Sequence, residues 1–376
     1  MSTISLRRMA LGTFIGAATI FASSAGSMAE EVLLRMEHFL PAQANVPKLI
    51  LEPWAKAVEQ DSDERIKVEI YPAMQLGGTP PELINQVRDG VIDVTWYVIG
   101  YKPGLFPSSE VFEQPFIMEN AEATSRAFWR LFEKDMKDTE FKDFKILGTW
   151  VHGPGIFHSD EPIESVDDLA GMKIRGGSRT INNLLTELGA EPVGLPVPAV
   201  SEALSKGVIN GTTIPWEVVP AIKVSELVKN HTEFGTPALY TLTFVLAMNK
   251  DKYESLPDDL KKVIDDNSGI EFSGFAGRTQ AGADGPSREQ AVEMGNNIIV
   301  LEGDALQGFK DAAEPVVEAW TEDVSSEGID GKALLEEAKM LIKEENDWLK
   351  EGNSSVGPLD DGASDAGAEA KEETAN

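Results

Sequence analysis

The chain has 376 residues, 63 acidic against 33 basic side chains, a formal charge of −30 and no cysteine. That length can bury one large or two medium cores. The acid excess leaves no basic surface for nucleic-acid or anionic-membrane phosphates, and the missing thiols exclude a disulfide framework, the commonest structural zinc sites and thiol catalysis.

In chain order, residues 1–29 read as an export signal rather than as part of the fold. Arg7 and Arg8 precede an apolar run from Met9 to Ala22, and small residues ending in "SMA" stand before Glu30. The run is short for a bilayer span, and no later stretch is longer. Removing it takes away two positive charges and moves the formal charge from −30 to −32. The expected location of the mature chain is the periplasm.

Alternation in "EVLLRMEHFLP" and "RIKVEIYPAM" predicts two strands, with an amphipathic helix, "VPKLILEPWAKAVEQDS", between them. "TPPELINQVRDG" predicts a short helix capped by Thr79 and stopped by Gly90, and "VIDVTWYVIG" a third strand. The pattern restarts after the helical stretch "NAEATSRAFWRLFEKDMKD". "FKILGTWVHGPGIFHS" reads as a strand entering a glycine-rich segment, and "SVDDLAGMKIRGGS" as a short helix and a strand ending on Arg175. Helices closed by Gly189 and Gly207 follow, with a strand near Ile209 to Pro215. "YTLTFVLAMN" is a further strand, "LPDD" starts a helix, and acid-rich helices run to about Lys350. Residues 352–376 are small, acidic and aperiodic, and are expected to be disordered. Two similar strand and helix sets argue for an α/β fold of two lobes, with a ligand crevice at the carboxyl ends of the strands.

No G-x-S-x-G, H-E-x-x-H, P-loop or dinucleotide glycine motif is present, and His38, His152, His158 and His231 lack metal-ligand spacing. The chemistry-bearing candidates sit at strand ends. Arg175 offers a planar, permanently charged fork that can grip a carboxylate with two parallel hydrogen bonds; an ordinary surface ion pair is the other reading of that residue. Trp216 and Glu217 in "TTIPWEVV" pair an aromatic wall with a polar group. Trp96, Tyr97 and Tyr101 lie at another strand end, where core packing is the default for at least two of the three. His38 and His152 each follow a strand.

The stretch Leu169 to Trp216, "LAGMKIRGGSRTINNLLTELGAEPVGLPVPAVSEALSKGVINGTTIPW", resembles the signature block of the DctP-type extracytoplasmic solute-binding proteins of TRAP transporters. "AMQLGG", "QVRDGVIDV" and "VFEQPFI" resemble other segments of that family, and the likeness runs from about Leu33 to Trp348. The resemblance implies a two-lobed periplasmic binding protein fold, type II-like, with hinge strands and a long lobe-spanning helix. It places residues 30–151 and about 241–280 in lobe I, and 152–240 with about 281–350 in lobe II and the C-terminal helices. It also implies that Arg175 receives the carboxylate of a small organic anion, and that Gly176 and Gly177 let the chain turn close to it.

The implied activity is a solute receptor, not an enzyme, that hands its ligand to the membrane subunits of a TRAP permease. "IPWE", where dicarboxylate and sialate binders often carry an asparagine-containing stretch, looks like the branch that takes keto or aromatic acids. The expected ligand is therefore a monocarboxylate such as a keto, hydroxy or aromatic acid. Trp216 and one of Trp96, Tyr97 or Tyr101 would form the walls, with Glu217 and His152 reading polar substituents and His38 also at the site. No cofactor is expected; a cation beside Glu217 is the one addition the resemblance leaves open. The rival from another class is a secreted hydrolase or lyase with Glu217 and His152 as acid and base.

Overall fold

In the computed structural model, which describes residues 31–359, the first two alternating segments become β1 (Val32–Glu37) and β2 (Ile66–Tyr71). They pair in parallel, from Val32 opposite Ile66 to Glu37 opposite Tyr71. Parallel neighbours need a crossover. The amphipathic segment supplies it as a π turn, Pro47–Leu51, running into α1 (Glu52–Asp61), which buries Trp54, Ala55, Ala57 and Val58. Thr79 takes the extended conformation of a cap ahead of the turn Pro80–Glu82 and α2 (Leu83–Arg88), but its side chain makes no capping bond. Every residue of β3 (Val94–Val98) is buried, as expected of a central strand covered on both faces. Next come α3 (Ala121–Leu131), capped by the Asn120 side chain, and β4 (Phe144–Val151).

The chain then crosses into a second sheet. It forms β5 (Ile156–Ser159), β6 (Lys173–Gly176), α4 (Arg179–Glu187), β7 (Glu191–Gly194), α5 (Val200–Ser205), β8 (Gly211–Ile214), α6 (Val224–Leu227) and β9 (Asn230–Glu233). It returns as β10 (Thr243–Asn249), α7 (Lys250–Glu254), α8 (Asp258–Asp266) and α9 (Ile270–Gly282). After α10 (Asp284–Glu293), β11 (Asn297–Val300) rejoins the second sheet, and α11 (Gly303–Ser326) and α12 (Gly331–Lys350) close the fold. β9 and β11, four residues each, carry too little alternation to be read from sequence.

The two sheets run β2-β1-β3-β10-β4 and β11-β9-β5-β8-β6-β7. In each, one strand opposes the rest: β10 is antiparallel to β3 and β4, and β5 is antiparallel to β8 and β9. These are the two strands entered directly from the other lobe, through residues 152–155 and 234–242. A strand that comes across the cleft must enter the sheet from its carboxyl-end side, so it runs against its neighbours. The remaining strands are parallel and all end toward the cleft, where open α/β sheets bind ligands. α9 and α10 make a third connection: α9 lies on α3 and β4 of the first lobe, and α10 on the turn Trp216–Val218 of the second. No described helix is long and apolar enough to cross a membrane.

Of the C-terminal helices, α11 packs on α4 of the second lobe and α12 on α3 of the first. Residues 352–359, the described part of the expected tail, are held against the fold. The Ser355 N–H reaches Glu122, and buried Arg126 holds the Ser355 hydroxyl (3.0 Å) together with Glu345 (2.6 Å) and Glu271 (2.7 Å). That guanidinium ties α3, α9, α12 and the segment after α12 together. Residues 1–30 and 360–376, which include the expected signal, lie outside the described residues.

Candidate functional site

A small cavity lies between the two sheets. Its walls come from strand ends: Phe39 and Leu40 after β1, Val98 and Tyr101 at and after the end of β3, Arg175 on β6, and Thr213 to Pro215 with Glu217 on and after β8. The crossing segments add His152 and Leu242, β10 adds Phe244, and α9 adds Gln280.

Arg175 is fully buried. Its Nε donates to the Leu195 carbonyl (2.7 Å) and its Nη1 to the Thr213 carbonyl (3.0 Å), while Nη2 has no partner. Burial pulls its pKa below the ordinary guanidinium value without removing the charge at neutral pH. No carboxylate among the described residues pairs with it, so the two carbonyls aim the fork and leave its charge uncompensated. Such an arrangement is costly unless an anion arrives. Gly177 passes so close that a Cβ there would lie 2.6 Å from Leu242 Cδ1 and 3.2 Å from Arg175 Nη2. The glycine provides room beside the guanidinium rather than a left-handed turn.

The wall opposite is aromatic. Trp96 stacks on Phe39 with centroids 4.5 Å apart and packs against Phe244 at 5.6 Å. Phe39 also meets the edge of Tyr101 at 5.7 Å. The alternation of β3 explains the selection: Trp96 and Val98 share the cavity face, and Tyr97 lies on the other, its hydroxyl near the Pro81 carbonyl.

Glu217 is anchored on three sides. Its N–H donates to Asp284 Oδ1 (2.8 Å), its carbonyl accepts from Asn45 Nδ2 (2.7 Å), and its Oε1 accepts from Gln280 Nε2 (2.7 Å); Oε2 is buried without a partner. Burial, with nearby Asp284 adding to it, pushes the carboxyl up to about 8. His152 lines the cavity but serves the hinge. Its Nε2 accepts the Leu242 N–H (3.1 Å), which puts the proton on Nδ1, where it is donated to the Gly153 carbonyl. Burial depresses its pKa to about 4. Neither nitrogen is free to read a substituent or to act as a base.

Of the eight residues singled out in the sequence, the structure gathers Arg175, Glu217, His152, Trp96 and Tyr101 around one cavity. It does not bring His38, Tyr97 or Trp216 there. Trp216 turns away from Glu217, donates its Nε1–H to Glu233 (2.7 Å) and packs against His158 and His231. His38 is buried elsewhere and its pKa is depressed to about 4. The lining residues not anticipated include Phe39, Phe244, Thr213 and Gln280. Phe39 lies one position from His38, whereas Gln280 has no local signal, since it reaches the site from a helix that begins 53 residues beyond Glu217. Among the described residues no group of three or more His, Asp or Glu side chains could hold a metal ion.

Contacts that join the lobes across the cleft include Asn45 to the Glu217 carbonyl, the Val197 N–H to the Tyr101 hydroxyl (2.9 Å), and Arg179 to Glu110 (2.8 Å). Residues 36–323 match the bacterial extracellular solute-binding protein family 7, DctP.

The chain belongs to that family.

It is thus a solute receptor of the TRAP type and not an enzyme. The fold is similar to that of a TRAP solute binding protein from Rhodoferax ferrireducens T118, solved with copurified benzoate, at 47% identity and a TM-score of 0.83; the match covers 85% of this chain and 99% of that one. A marine metagenome TRAP solute binding protein specific for aromatic acid ligands, solved with 3-hydroxybenzoate, is 46% identical with a TM-score of 0.82, covering 84% and 99%. A TRAP periplasmic solute binding protein from Bordetella bronchiseptica, with bound (R)- and (S)-mandelate, is 28% identical with a TM-score of 0.77, covering 83% and 99%.

Proposed function

We propose that this receptor captures an aromatic monocarboxylate in the periplasm and presents it to the membrane subunits of a TRAP permease. The observation that carries the reading is Arg175, a buried guanidinium with a free Nη2 and no counter-ion, facing a cavity walled by Phe39, Trp96 and Phe244. A carboxylate supplies the missing charge, and a flat ring packs against the aromatic wall. Tyr101 borders the same space, and its bond to the Val197 N–H couples the first lobe to the second. Relatives at 46 and 47% identity whose structures hold 3-hydroxybenzoate and benzoate support this ligand class over the sugar acids and dicarboxylates. Lobe I, in this reading, is the sheet ending at β4 with β10 inserted, lobe II the sheet from β5 to β9 with β11, and their closed pairing is the state the permease recognises.

The test is a thermal-unfolding screen of the purified protein against benzoate, phenylacetate, mandelate, pyruvate, succinate and glucuronate. A ligand that binds the folded state alone raises the melting temperature by mass action. Benzoate or a close aromatic acid should give the largest rise. A rise with succinate or glucuronate and none with any aromatic acid would overturn the assignment.

A further inference from the structure

Trp150, Gln280 and Glu217 form a chain of hydrogen bonds whose direction is set by its first member. An indole N–H can only donate, so Trp150 Nε1, 2.8 Å from Gln280, fixes the amide oxygen on its side. The amide nitrogen must then face Glu217 and donate to Oε1. Oε1 is thereby an acceptor, so a proton on this carboxyl belongs on Oε2, the buried oxygen without a hydrogen-bond partner.

The surroundings favour that proton. Asp284, at the start of α10, lies against the Glu217 N–H; α9 contributes only the neutral Gln280, and the segment before α1 only Asn45. His152 on the hinge is neutral, and Arg175 makes no bond to Glu217. The carboxyl is held up to about 8 by burial. At neutral pH the cavity therefore contains two complementary polar groups, a guanidinium and a carboxylic acid O–H, within an aromatic enclosure.

We infer that Glu217 is the specificity-determining residue for an oxygen substituent on the ring of the aromatic acid, recognising it as a hydrogen-bond donor through Oε2–H. The inference rests on the aromatic-acid reading of the cavity. It selects hydroxy- or alkoxy-substituted aromatic monocarboxylates and rejects a second carboxylate, which would be buried as a charge with no second cation lining the cavity.

Affinities of benzoate, 3- and 4-hydroxybenzoate and the matching methoxybenzoates, measured by titration calorimetry between pH 6 and 9, test it. One hydroxy isomer should bind roughly five- to tenfold more tightly than benzoate, the size of one net hydrogen bond. Within the Glu217→Met variant that ratio should fall to about one, and Glu217→Gln, which keeps an N–H donor, should retain part of it. The matching methoxybenzoate can only accept, so its affinity relative to benzoate should fall as pH rises through 8 in the wild type and stay flat in Glu217→Gln. Trp150→Phe, which frees the Gln280 amide to rotate, should lower the hydroxy preference. On ligand binding, an infrared difference spectrum should show a protonated-carboxyl band that is absent in Glu217→Gln. A hydroxy preference that survives Glu217→Met, or a methoxy ratio that ignores pH in the wild type, overturns the inference while leaving the aromatic-acid reading standing. Failure of every benzoate to bind overturns both.

Discussion

Arg175 and Thr213 hold each other in place: the guanidinium Nη1 donates to the Thr213 carbonyl at 3.0 Å, and the Thr213 hydroxyl donates back to the Arg175 carbonyl at 3.1 Å. The side chain is therefore aimed before any ligand arrives, and its ordering cost is borne by the folded protein rather than by binding.

Replacing it with Met should separate binding from stability. Loss of one partner from a buried charge pair costs about 3–5 kcal/mol, so aromatic carboxylate affinity should fall by about two to three and a half orders of magnitude. The ligand-free unfolding midpoint should hold or rise, because an uncompensated buried charge has gone. Arg175→Lys should also bind weakly, since an ammonium cannot keep both carbonyl anchors and present a fork. Calorimetry and urea unfolding of the two variants check this; a ligand-free protein weakened by more than about 2 kcal/mol would mean that the guanidinium serves the fold.

Gly100, after β3, meets the cap of α4 across the cleft. A Cβ at this position would lie 2.3 Å from Ser178 Cβ and 3.0 Å from its Cα. Gly100→Ala should therefore obstruct the approach of the lobes while leaving each lobe folded. We expect near-normal ligand-free stability, at least a tenfold loss of affinity (about 1.4 kcal/mol), and no compaction by small-angle scattering when ligand is added. Compaction equal to wild type would show that the lobes close without this contact.

Phe39→Ala should weaken binding through lost ring contact. Burying a phenyl side chain contributes about 1.5–3 kcal/mol, so a loss of roughly 10- to 100-fold for benzoate is expected, with a smaller loss for a short aliphatic acid. Trp96 stacks on Phe39, so benzoate should change the intrinsic fluorescence, and Trp96→Phe should reduce that change. Equal losses for aromatic and aliphatic acids would place the ligand ring elsewhere.

Stability should decline with alkaline pH. Burial raises Glu217 to about 8 and Asp284 and Glu113 to about 7, above the ordinary 4.5 and 3.8 of these groups. The folded chain then holds protons that the unfolded chain has released. This contribution is complete below the unfolded values and is lost as pH climbs through 7 to 8. Burial depresses His38, His152 and His231 to about 4, and His158 lies well below its usual 6.5, so their contribution is complete above 6.5 and is lost on acidification. Between pH 6.5 and 8 the carboxyls alone act. The unfolding free energy should fall across that window, and Glu217→Gln should flatten the slope by up to one proton, about 1.4 kcal/mol per pH unit. Parallel curves for the two proteins would show that Glu217 is ionised in the fold.

Local chemistry in the sequence determined a good deal of this. Alternation marked β1, β2 and β10, a glycine or proline bounded most helices, and a permanent cation at the end of "KIR" offered a planar fork because charge and planarity belong to the residue itself. The partners of that cation, and the direction of every side chain beside it, depend on which strands become neighbours. Period-two geometry in β3 sends Trp96 to the cavity and Tyr97 away, and the turn after Pro215 parts Trp216 from Glu217. His152 resembled a ligand group until the Leu242 N–H and the Gly153 carbonyl, brought together by the crossing segments, were seen to occupy both its nitrogens. The protonation of Glu217 is furthest from the sequence. It depends on Trp150, Gln280 and Asp284, which come from β4, α9 and α10, and burial at the meeting of those elements is a property of the assembled fold alone.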